Sequence, residues 1–192
     1  MPPVKSIAII NQKGGVGKTT TAANLGAAVA DMGRSVCLVD LDPQCHLTLH
    51  FGLDDDGDHP NAYDVLIGEA GVADVIRPVG ERLRMLPASI DLAAIESQMA
   101  NRPGREQILR RRLAEAQLAD EFLMIDCPPS LGLLTINALA AVDEVIIPLQ
   151  PHFLALQGMG QLLQTVSLVR QRINPSLTVR GVVLCMFERI TR

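Results

Sequence analysis

Short runs of valine, isoleucine and leucine recur along the chain, and segments with helical spacing separate them. Most of these runs are apolar at every position, which is typical of parallel strands that are covered on both faces. We therefore predict six strands, over residues 6–11, 36–40, 83–86, 122–126, 144–148 and 179–186.

Two segments outside these runs have a clear helical pattern. Residues 19–32 are rich in alanine and are followed by Gly33, a residue type that commonly ends helices. The second segment keeps helical spacing until Asn174-Pro175, with apolar residues at Met159, Leu162, Leu163, Val166, Val169 and Ile173. The alternation of strands with helices predicts an α/β fold, in which a mostly parallel, twisted sheet carries helices on both faces.

Composition narrows the class of protein. Of the 192 residues, 48% are hydrophobic and only 20% are charged, as in a globular protein with a sizeable core. We find no internal repeat and predict a single domain over residues 1–192, with the acidic stretch 54–60 as a surface loop. No apolar run approaches the roughly 18 residues that span a bilayer, and no signal peptide is recognisable, so we expect a cytoplasmic location.

The segment between the first strand and the first helix has the composition of a phosphate-binding loop. It reads Asn11-Gln12-Lys13-Gly14-Gly15-Val16-Gly17-Lys18-Thr19-Thr20. Glycines let successive backbone N–H groups point inward, and the following helix N-terminus adds partial positive charge. In the pattern G-x-x-x-x-G-K-[ST], the lysine reaches the β- and γ-phosphates and the hydroxyl binds Mg²⁺, roles that fall on Lys18 and Thr19. Gln12 replaces the first glycine and Lys13 adds a second lysine, so the loop is the deviant form of Walker A.

Acidic residues follow two further strands. Asp40 and Asp42 lie at the end of the second run, and carboxylates at that edge of an α/β sheet face the ligand crevice. Asp126 follows four apolar residues, which is the Walker B pattern for a carboxylate that holds a Mg²⁺-bound water. Each pattern alone is weak, but three such strand ends in one chain indicate a Mg²⁺-nucleotide site.

Three segments together resemble the ParA/Soj family of partition ATPases. They are residues 13–20, residues 38–44, and residues 125–131 with Asn137-Ala138-Leu139. Weaker similarities extend the resemblance over nearly the whole chain, at residues 86–92 and 147–150 and at Phe153, Ala155 and Leu156.

The resemblance implies a nucleotide-dependent switch that uses ATP and Mg²⁺. In the family, ATP lies between the two protomers of a homodimer, and the lysine that matches Lys13 reaches the phosphates of the partner. Lys18 would then bind phosphate, Thr19 and Asp126 would serve Mg²⁺, partly through water, and Asp42 would position or activate the attacking water. A triphosphate between two acidic protomers needs such additional positive charge.

Other family properties follow in the same way. Asp40 is expected to support the loop, and Pro128-Pro129-Ser130 to couple the γ-phosphate to the dimer surface. Hydrolysis is slow in the family, the ATP-bound dimer binds nonspecific DNA at the nucleoid, and a ParB-like partner accelerates hydrolysis. Such a cycle moves plasmids or chromosome origins.

The chain also departs from the family pattern. Cys45-His46 and Pro151-His152 stand where most relatives have other residues, and we interpret the two histidines as unrelated surface residues. Relatives usually continue past the segment that matches residues 181–187, with a base-binding segment and DNA-contacting arginines. We therefore expect ATP affinity to be weakened more through the base than through the phosphates.

The strongest local positive run is Arg102-Pro103-Gly104-Arg105 followed by Arg110-Arg111-Arg112. Because the net charge is −4, DNA binding needs a local patch of this kind. We nevertheless favour an amphipathic helix with solvated arginines, since Ile108, Leu109 and Leu113 have helical spacing. Arg189 and Arg192 are further candidates for DNA contact.

Three alternatives to a partition ATPase stay open. One is a positioning ATPase for another cargo, and another is a membrane-associated cell-division regulator similar to MinD, which needs an amphipathic helix. The third is an iron–sulfur reductase similar to the nitrogenase iron protein, in which cysteines of two protomers hold a cluster. Cys127 directly follows Asp126, which disfavours it as a cluster ligand. We interpret all the cysteines as reduced core thiols, at Cys37, Cys45, Cys127 and Cys185.

Overall fold

A computed structural model describes residues 4–53, 59–151 and 153–187. These residues form a seven-stranded sheet in the order β3-β4-β2-β5-β1-β6-β7, in which only the β3–β4 pair is antiparallel. The strands are β1 (Lys5–Ile9), β2 (Val36–Asp40), β3 (Arg77–Pro78), β4 (Leu83–Leu86), β5 (Phe122–Asp126), β6 (Glu144–Leu149) and β7 (Thr178–Leu184).

The bounds of β2, β4 and β5 are those predicted, whereas the ends of other strands differ. β1 stops at Ile9 instead of residue 11, because Asn11 already turns its side-chain amide onto the Pro148 carbonyl, at 2.6 Å. β7 stops at Leu184 instead of residue 186, because Met186 adopts a left-handed backbone with φ 54°. The two-residue strand β3 was not predicted, since so short an edge strand leaves no periodic signal.

Helices cover both faces of the sheet. They are α1 (Lys18–Asp31), α2 (His46–His50), α3 (Ala62–Ile67), α4 (Val72–Val75), α5 (Ile95–Gln98), α6 (Ile108–Ala116), α7 (Leu133–Ala141) and α8 (Phe153–Arg172). Alternate strand residues point to opposite faces, so that Ile9 and Leu38 pack under α1 whereas Ala8 and Val39 belong to the core on the other face. The predicted α/β class with a mostly parallel sheet is confirmed.

Helix α1 packs very closely on β2. At Gly26 an added Cβ would lie 2.8 Å from Leu38 Cδ2, which is closer than side chains tolerate. The helix ends one residue before its predicted end, and Gly33 has the left-handed φ of 82° expected of a helix stop. This close contact fixes the axis of α1 against the centre of the sheet.

Helix α8 shows the predicted spacing on its inner face only. Leu162, Val166 and Val169 are buried, whereas Leu163 is 41% exposed. His152 and residues 54–58, 189 and 192 lie outside the described residues. Among the helices that the structure describes, none combines the length and the apolar character needed to cross a bilayer.

The sheet is left uncovered at β7. Val182, Leu184 and Phe187 are 45%, 58% and 63% exposed. Because α1 lies over the centre of the sheet, an open groove of about 590 Å³ separates it from this edge. The groove is lined by residues of the loop before α1, of α1 itself, of β6 and of the β7 region, among them Gly17, Thr21, Leu25, Ile146, Val183 and Cys185.

Candidate nucleotide site

The carboxyl ends of β1, β2 and β5 lie side by side, because the sheet order is β2-β5-β1. The Cα atom of Asp126 pairs in register with Ile9 on β1 and with Asp40 on β2. The loop before α1 follows β1 directly, and Asp42 lies two residues beyond the end of β2. The three segments predicted to form one site therefore meet at the edge where open α/β sheets bind ligands.

The loop between β1 and α1 passes twice through left-handed backbone. Gly15 has a φ of 71° and Gly17 a φ of 91°, which residues with a Cβ rarely adopt. The Lys13 amide donates to Asn11 Oδ1 at 3.0 Å, and α1 begins directly after Gly17. This backbone, with the first N–H groups of a helix, is suited to an anion. The other loop residues are exposed Gly14 and Thr20, half-buried Thr19 and buried Val16.

Lys18 is buried at the start of α1, with only 7% of its surface exposed. Its Nζ donates to the Lys13 carbonyl at 3.2 Å, so the side chain folds back over the loop. Burial lowers its pKa, while the nearby charges of Asp126 and Asp42 act in the opposite direction. The ammonium therefore lies among the residues expected to hold the phosphates and the metal.

Asp126 is fully buried, and neither carboxylate oxygen accepts a hydrogen bond of normal geometry from the described residues. The pKa of Asp126 is raised to about 7, chiefly by burial and to a lesser degree by the charges of Asp40 and Asp42. The Thr19 hydroxyl and the charge of Lys18 lower it. Burying a carboxylate without hydrogen-bond donors costs free energy. A divalent cation bound by Asp126 and the Thr19 hydroxyl would offset this cost, and both groups supply the oxygen ligands that Mg²⁺ prefers. The residues present therefore fit this metal.

Asp40 is equally buried but fully hydrogen-bonded. Its Oδ1 accepts the Asp42 amide at 3.0 Å, and its Oδ2 accepts both the amide and the hydroxyl of Thr48, at 2.9 and 2.8 Å. Burial raises the pKa of Asp40 to about 6, although these three hydrogen bonds lower it. These hydrogen bonds support the segment that carries Asp42. Support of the phosphate-binding loop by Asp40 stays a prediction. Thr48 itself was missed, since no sequence motif pairs it with Asp40.

Asp42 lies in the same loop with 6% of its surface exposed. Its Oδ1 accepts the Gln44 amide at 3.0 Å, and its carbonyl accepts the Cys45 amide at 2.9 Å. Its charge acts on Lys18 and on Asp126. Asp42 is thus close enough to both groups to influence a ligand bound between them.

Lys13 is exposed, unlike Lys18. Its Nζ lies 3.4 Å from Gln150 Oε1, just beyond the carboxyl end of β6. The Lys13 ammonium lies outside the buried group of Lys18, Asp42 and Asp126. An exposed lysine at this position is accessible to a second molecule.

The cysteines do not support an exposed cluster site. Cys37, Cys45 and Cys127 are buried, and burial raises the pKa of Cys127 well above its usual value. Cys185 is half-buried in the groove next to Gly17, so its assignment to the core was wrong. Over residues 4–53, 59–151 and 153–187, no group of three or more histidine, cysteine or acidic side chains is arranged to hold a metal ion.

The basic run contributes to internal contacts and to one amphipathic helix. Ile108 and Leu109 of α6 are buried, while Arg110 and Arg111 are exposed. Arg105 and Arg111 each donate to a backbone carbonyl, of Ala100 and Gly104 respectively, and Arg112 pairs with Glu115 at 3.1 Å. The interpretation as a helix with a solvated face agrees with the structure.

One further residue at the site edge was not anticipated. Glu96 Oε1 accepts the Leu133 amide at 2.8 Å, at the start of α7. In the first turn of α7, the Thr135 hydroxyl donates to the carbonyl of Ser130, which precedes the helix, at 2.6 Å. These two contacts anchor the segment that follows Asp126. The sequence did not predict them, because Glu96 is far from Leu133 along the chain and the pair Ser130 and Thr135 belongs to no recognised motif.

The curled loop, the buried lysine and the paired acidic strand ends together define a P-loop nucleotide-binding protein. A family profile described as an AAA domain matches residues 4–179. The chain is 47% identical to the sporulation initiation inhibitor protein Soj of Bacillus subtilis, in a match that covers 97% of this chain and 74% of Soj. It is 44% identical to the chromosome partitioning protein ParA of Caulobacter vibrioides, over 97% of this chain and 71% of that protein. The chain belongs to the ParA/Soj family of partition ATPases.

A solved structure extends the similarity to the fold. It is described as cobyrinic acid a,c-diamide synthase from Mycobacterium smegmatis with a bound ATP analogue and magnesium. The sequences are 44% identical, the TM-score is 0.94, and the match covers 98% of this chain and 75% of that one. The chain thus spans about three quarters of the length of these relatives.

Proposed function

We propose that this protein is an ATP-hydrolysing switch that dimerises around ATP and serves the partition of DNA. The observation that carries the proposal is the buried Asp126 carboxylate, which accepts no hydrogen bond of normal geometry from the described residues and lies close to the Thr19 hydroxyl and the Lys18 ammonium. The family membership and the relatives named for chromosome partitioning support the biological role.

Each residue of the site has a distinct part in this proposal. Lys18 and the backbone N–H groups of the loop bind the β- and γ-phosphates. Thr19 and Asp126 hold Mg²⁺, Asp126 partly through water, and the metal would neutralise charge that develops on the phosphates. Asp42 orients the attacking water by accepting a hydrogen bond from it.

Lys13 accounts for the dimer in this proposal. Its exposed ammonium exchanges the Gln150 side chain for the γ-phosphate bound by the partner protomer. Such an exchange makes dimerisation depend on the nucleotide, because the attraction is lost once the γ-phosphate leaves. The ATP-bound dimer binds nonspecific DNA, and a ParB-like protein speeds hydrolysis and so releases the dimer.

The test compares oligomeric state and hydrolysis in four proteins: the unchanged chain and its Lys13→Ala, Asp42→Ala and Lys5→Ala variants. Light scattering after size-exclusion chromatography is expected to show a dimer with Mg²⁺ and a slowly hydrolysed ATP analogue, and a monomer with ADP. Lys13→Ala should stay monomeric in both cases. Asp42→Ala should dimerise with ATP itself and hydrolyse it at least about tenfold more slowly.

Lys5→Ala is the matched control, because Lys5 lies at the amino end of β1, opposite the site. It should behave as the unchanged chain. Nonspecific DNA should be retained only by proteins that dimerise. Dimerisation of Lys13→Ala equal to that of the unchanged chain would refute the proposed role of Lys13, and absence of Mg²⁺-dependent ATP hydrolysis by the unchanged chain would refute the proposal as a whole.

A second candidate function comes from the description of the Mycobacterium smegmatis structure as a diamide synthase. Such an enzyme activates a carboxylate with ATP and transfers an amino group to it. The two candidates differ in what stimulates ATP turnover. Stimulation by DNA together with a ParB-like protein favours the switch, whereas stimulation by cobyrinic acid with an ammonia donor favours the synthase.

A further inference from the structure

The buried carboxylate of Asp40 joins the two ends of the loop that carries Asp42. Its Oδ1 accepts the Asp42 amide, and its Oδ2 accepts the Thr48 amide, at 3.0 and 2.9 Å. One side chain therefore fixes the beginning and the end of residues 42–48 at the same point.

Thr48 extends this anchor to a second strand. Its hydroxyl donates to Asp40 Oδ2 at 2.8 Å and accepts the Ala88 amide at 2.9 Å, just after β4. Both hydrogen-bonding functions of the hydroxyl are thus used, and Thr48 is fully buried. The loop is tied to β2 through Asp40 and to the β4 exit through Ala88.

A third contact holds the chain directly before residues 42–48. The Leu41 amide donates to the Asp126 carbonyl at 3.0 Å, which joins the loop to β5. Asp42 is therefore preceded by a residue fixed to β5, and its own amide is fixed to Asp40. The backbone that carries the Asp42 carboxylate has little freedom left.

We propose that Asp40 and Thr48 are positioning residues for ATP hydrolysis, which hold Asp42 at the place where it acts on the attacking water. This proposal rests on the function proposed above, in which Asp42 orients that water. Both oxygens of Asp40 accept hydrogen bonds from the protein, which fits a positioning role. Hydrolysis depends on the placement of Asp42 to within about 1 Å, since such a displacement can reduce a rate about a hundredfold.

The proposal separates hydrolysis from nucleotide binding. The phosphate-binding loop is held by contacts of its own, since Lys18 Nζ donates to the Lys13 carbonyl and the Thr21 hydroxyl donates to the Gly17 carbonyl. Loss of the anchor should therefore slow hydrolysis and leave nucleotide affinity nearly unchanged. A merely structural role would instead lower stability, affinity and rate together.

The test uses Thr48→Val, which keeps the shape of the side chain but removes the hydroxyl, and Thr48→Ser, which restores the hydroxyl. Thr165→Val is the matched control, because the Thr165 hydroxyl bonds only to the Gln161 carbonyl on α8, away from the site. Single-turnover hydrolysis of ATP, the Kd of a slowly hydrolysed analogue with Mg²⁺, and the Tm are measured for each variant and for Asp42→Ala.

Thr48→Val should hydrolyse ATP at least about tenfold more slowly, with a Kd within about threefold of the unchanged chain. Thr48→Ser should recover most of the rate, and Thr165→Val should be unaffected. Asp40→Asn serves as a second variant in case Thr48→Val folds poorly. Its amide group replaces one acceptor by a donor and should slow hydrolysis in the same way. All rates are taken at a temperature at which every variant is folded by circular dichroism.

If folded Thr48→Val and Asp40→Asn hydrolysed ATP at the unchanged rate, the inference would be overturned. The proposed function would stand in that case as long as Asp42→Ala hydrolysed ATP slowly. Equal losses of rate and affinity in these variants would also overturn it, because they would mark a structural role. If Asp42→Ala hydrolysed ATP at the unchanged rate, the proposed function of Asp42 would fail, and this inference with it.

Discussion

Asp40 and Asp126 occupy equivalent positions on neighbouring strands but differ in the hydrogen bonds that they accept. Each ends its strand, each is fully buried, and their Cα atoms are paired in register. Asp40 accepts three hydrogen bonds from Asp42 and Thr48, whereas Asp126 accepts none of normal geometry among the described residues. Burial of a carboxylate is therefore compensated by the protein in one case and left for a ligand in the other.

This difference separates structural from ligand-binding carboxylates better than burial or pKa does. Burial raises the pKa of both, to about 6 for Asp40 and to about 7 for Asp126. The number of donors that the protein supplies is what distinguishes them. A residue that the fold leaves without donors at a ligand-binding edge is the one to which a cation is expected to bind.

The largest expected effect comes from Asp126→Asn. We expect Mg²⁺-dependent ATP hydrolysis to fall at least about a hundredfold, since the metal loses its anionic partner. The nucleotide-free protein should nevertheless become more stable at pH 8, by up to about 4 kcal/mol, because a buried charge that the described residues leave without hydrogen bonds is removed. Urea unfolding and an ATPase assay measure the two effects. A destabilised nucleotide-free variant would contradict our account of Asp126.

Asp40→Ala should have the opposite effect on stability. We expect a loss of about 2–4 kcal/mol in the free energy of unfolding, because buried donors of Asp42 and Thr48 lose their acceptor. Urea unfolding of the two nucleotide-free variants, Asp40→Ala and Asp126→Asn, measures the free energy of unfolding of each under the same conditions. If the two variants changed stability in the same direction, the contrast between the two carboxylates would be wrong.

The pH dependence of stability should sharpen the contrast. The folded pKa of Asp126 is about 7, against about 4 for an unfolded aspartate. Between these values the folded protein keeps a proton on Asp126 that the unfolded chain releases. The contribution of Asp126 to the free energy of unfolding is therefore fully present below pH 4 and is lost as the pH rises to 7. The stability advantage of Asp126→Asn over the unchanged chain should grow across this window by up to about 1.4 kcal/mol per pH unit. A pH-independent difference would contradict the raised pKa.

The smallest effect is expected at Glu96, an exposed carboxylate that accepts one amide at the start of α7. Glu96→Gln keeps an acceptor for Leu133, and water solvates the rest of the side chain. We expect a change of less than about 1 kcal/mol in the free energy of unfolding. Urea unfolding tests this, and a loss as large as that of Asp40→Ala would show that the burial of a carboxylate does not determine how much its replacement changes stability.

The parts of the fold that sequence predicted are those with local signals. Buried parallel strands such as β2 and β5 are uniformly apolar and end at an aspartate, and the glycine pattern of the phosphate loop is contiguous. Helix α3 also has such a signal, since Asn61 and Asp64 form a capping box with the helix amides, yet it was not predicted.

The remainder depends on contacts between distant segments. Lys13 and Gln150 are 137 residues apart and meet only because β1 and β6 are neighbours in the sheet. Thr48 lies near Asp40 because α2 begins directly after Cys45, whose left-handed φ of 54° is unusual for a residue with a Cβ. No local pattern encodes either pairing. The family resemblance predicted different roles for Asp40 and Asp126, but the hydrogen bonds that distinguish the two carboxylates were visible only in the structure.

The close approach of α1 to β2 has a consequence for protein engineering. Replacement of a helical glycine by alanine is a routine way to stabilise a protein and commonly yields up to about 1 kcal/mol. At Gly26 the same change would drive a methyl group to 2.8 Å from Leu38 Cδ2. Either the buried Leu38 side chain would have to change its conformation or α1, which carries Lys18 in its first turn, would have to move away from β2. A thermostabilised version of this protein should therefore retain the poorer helix former at this position.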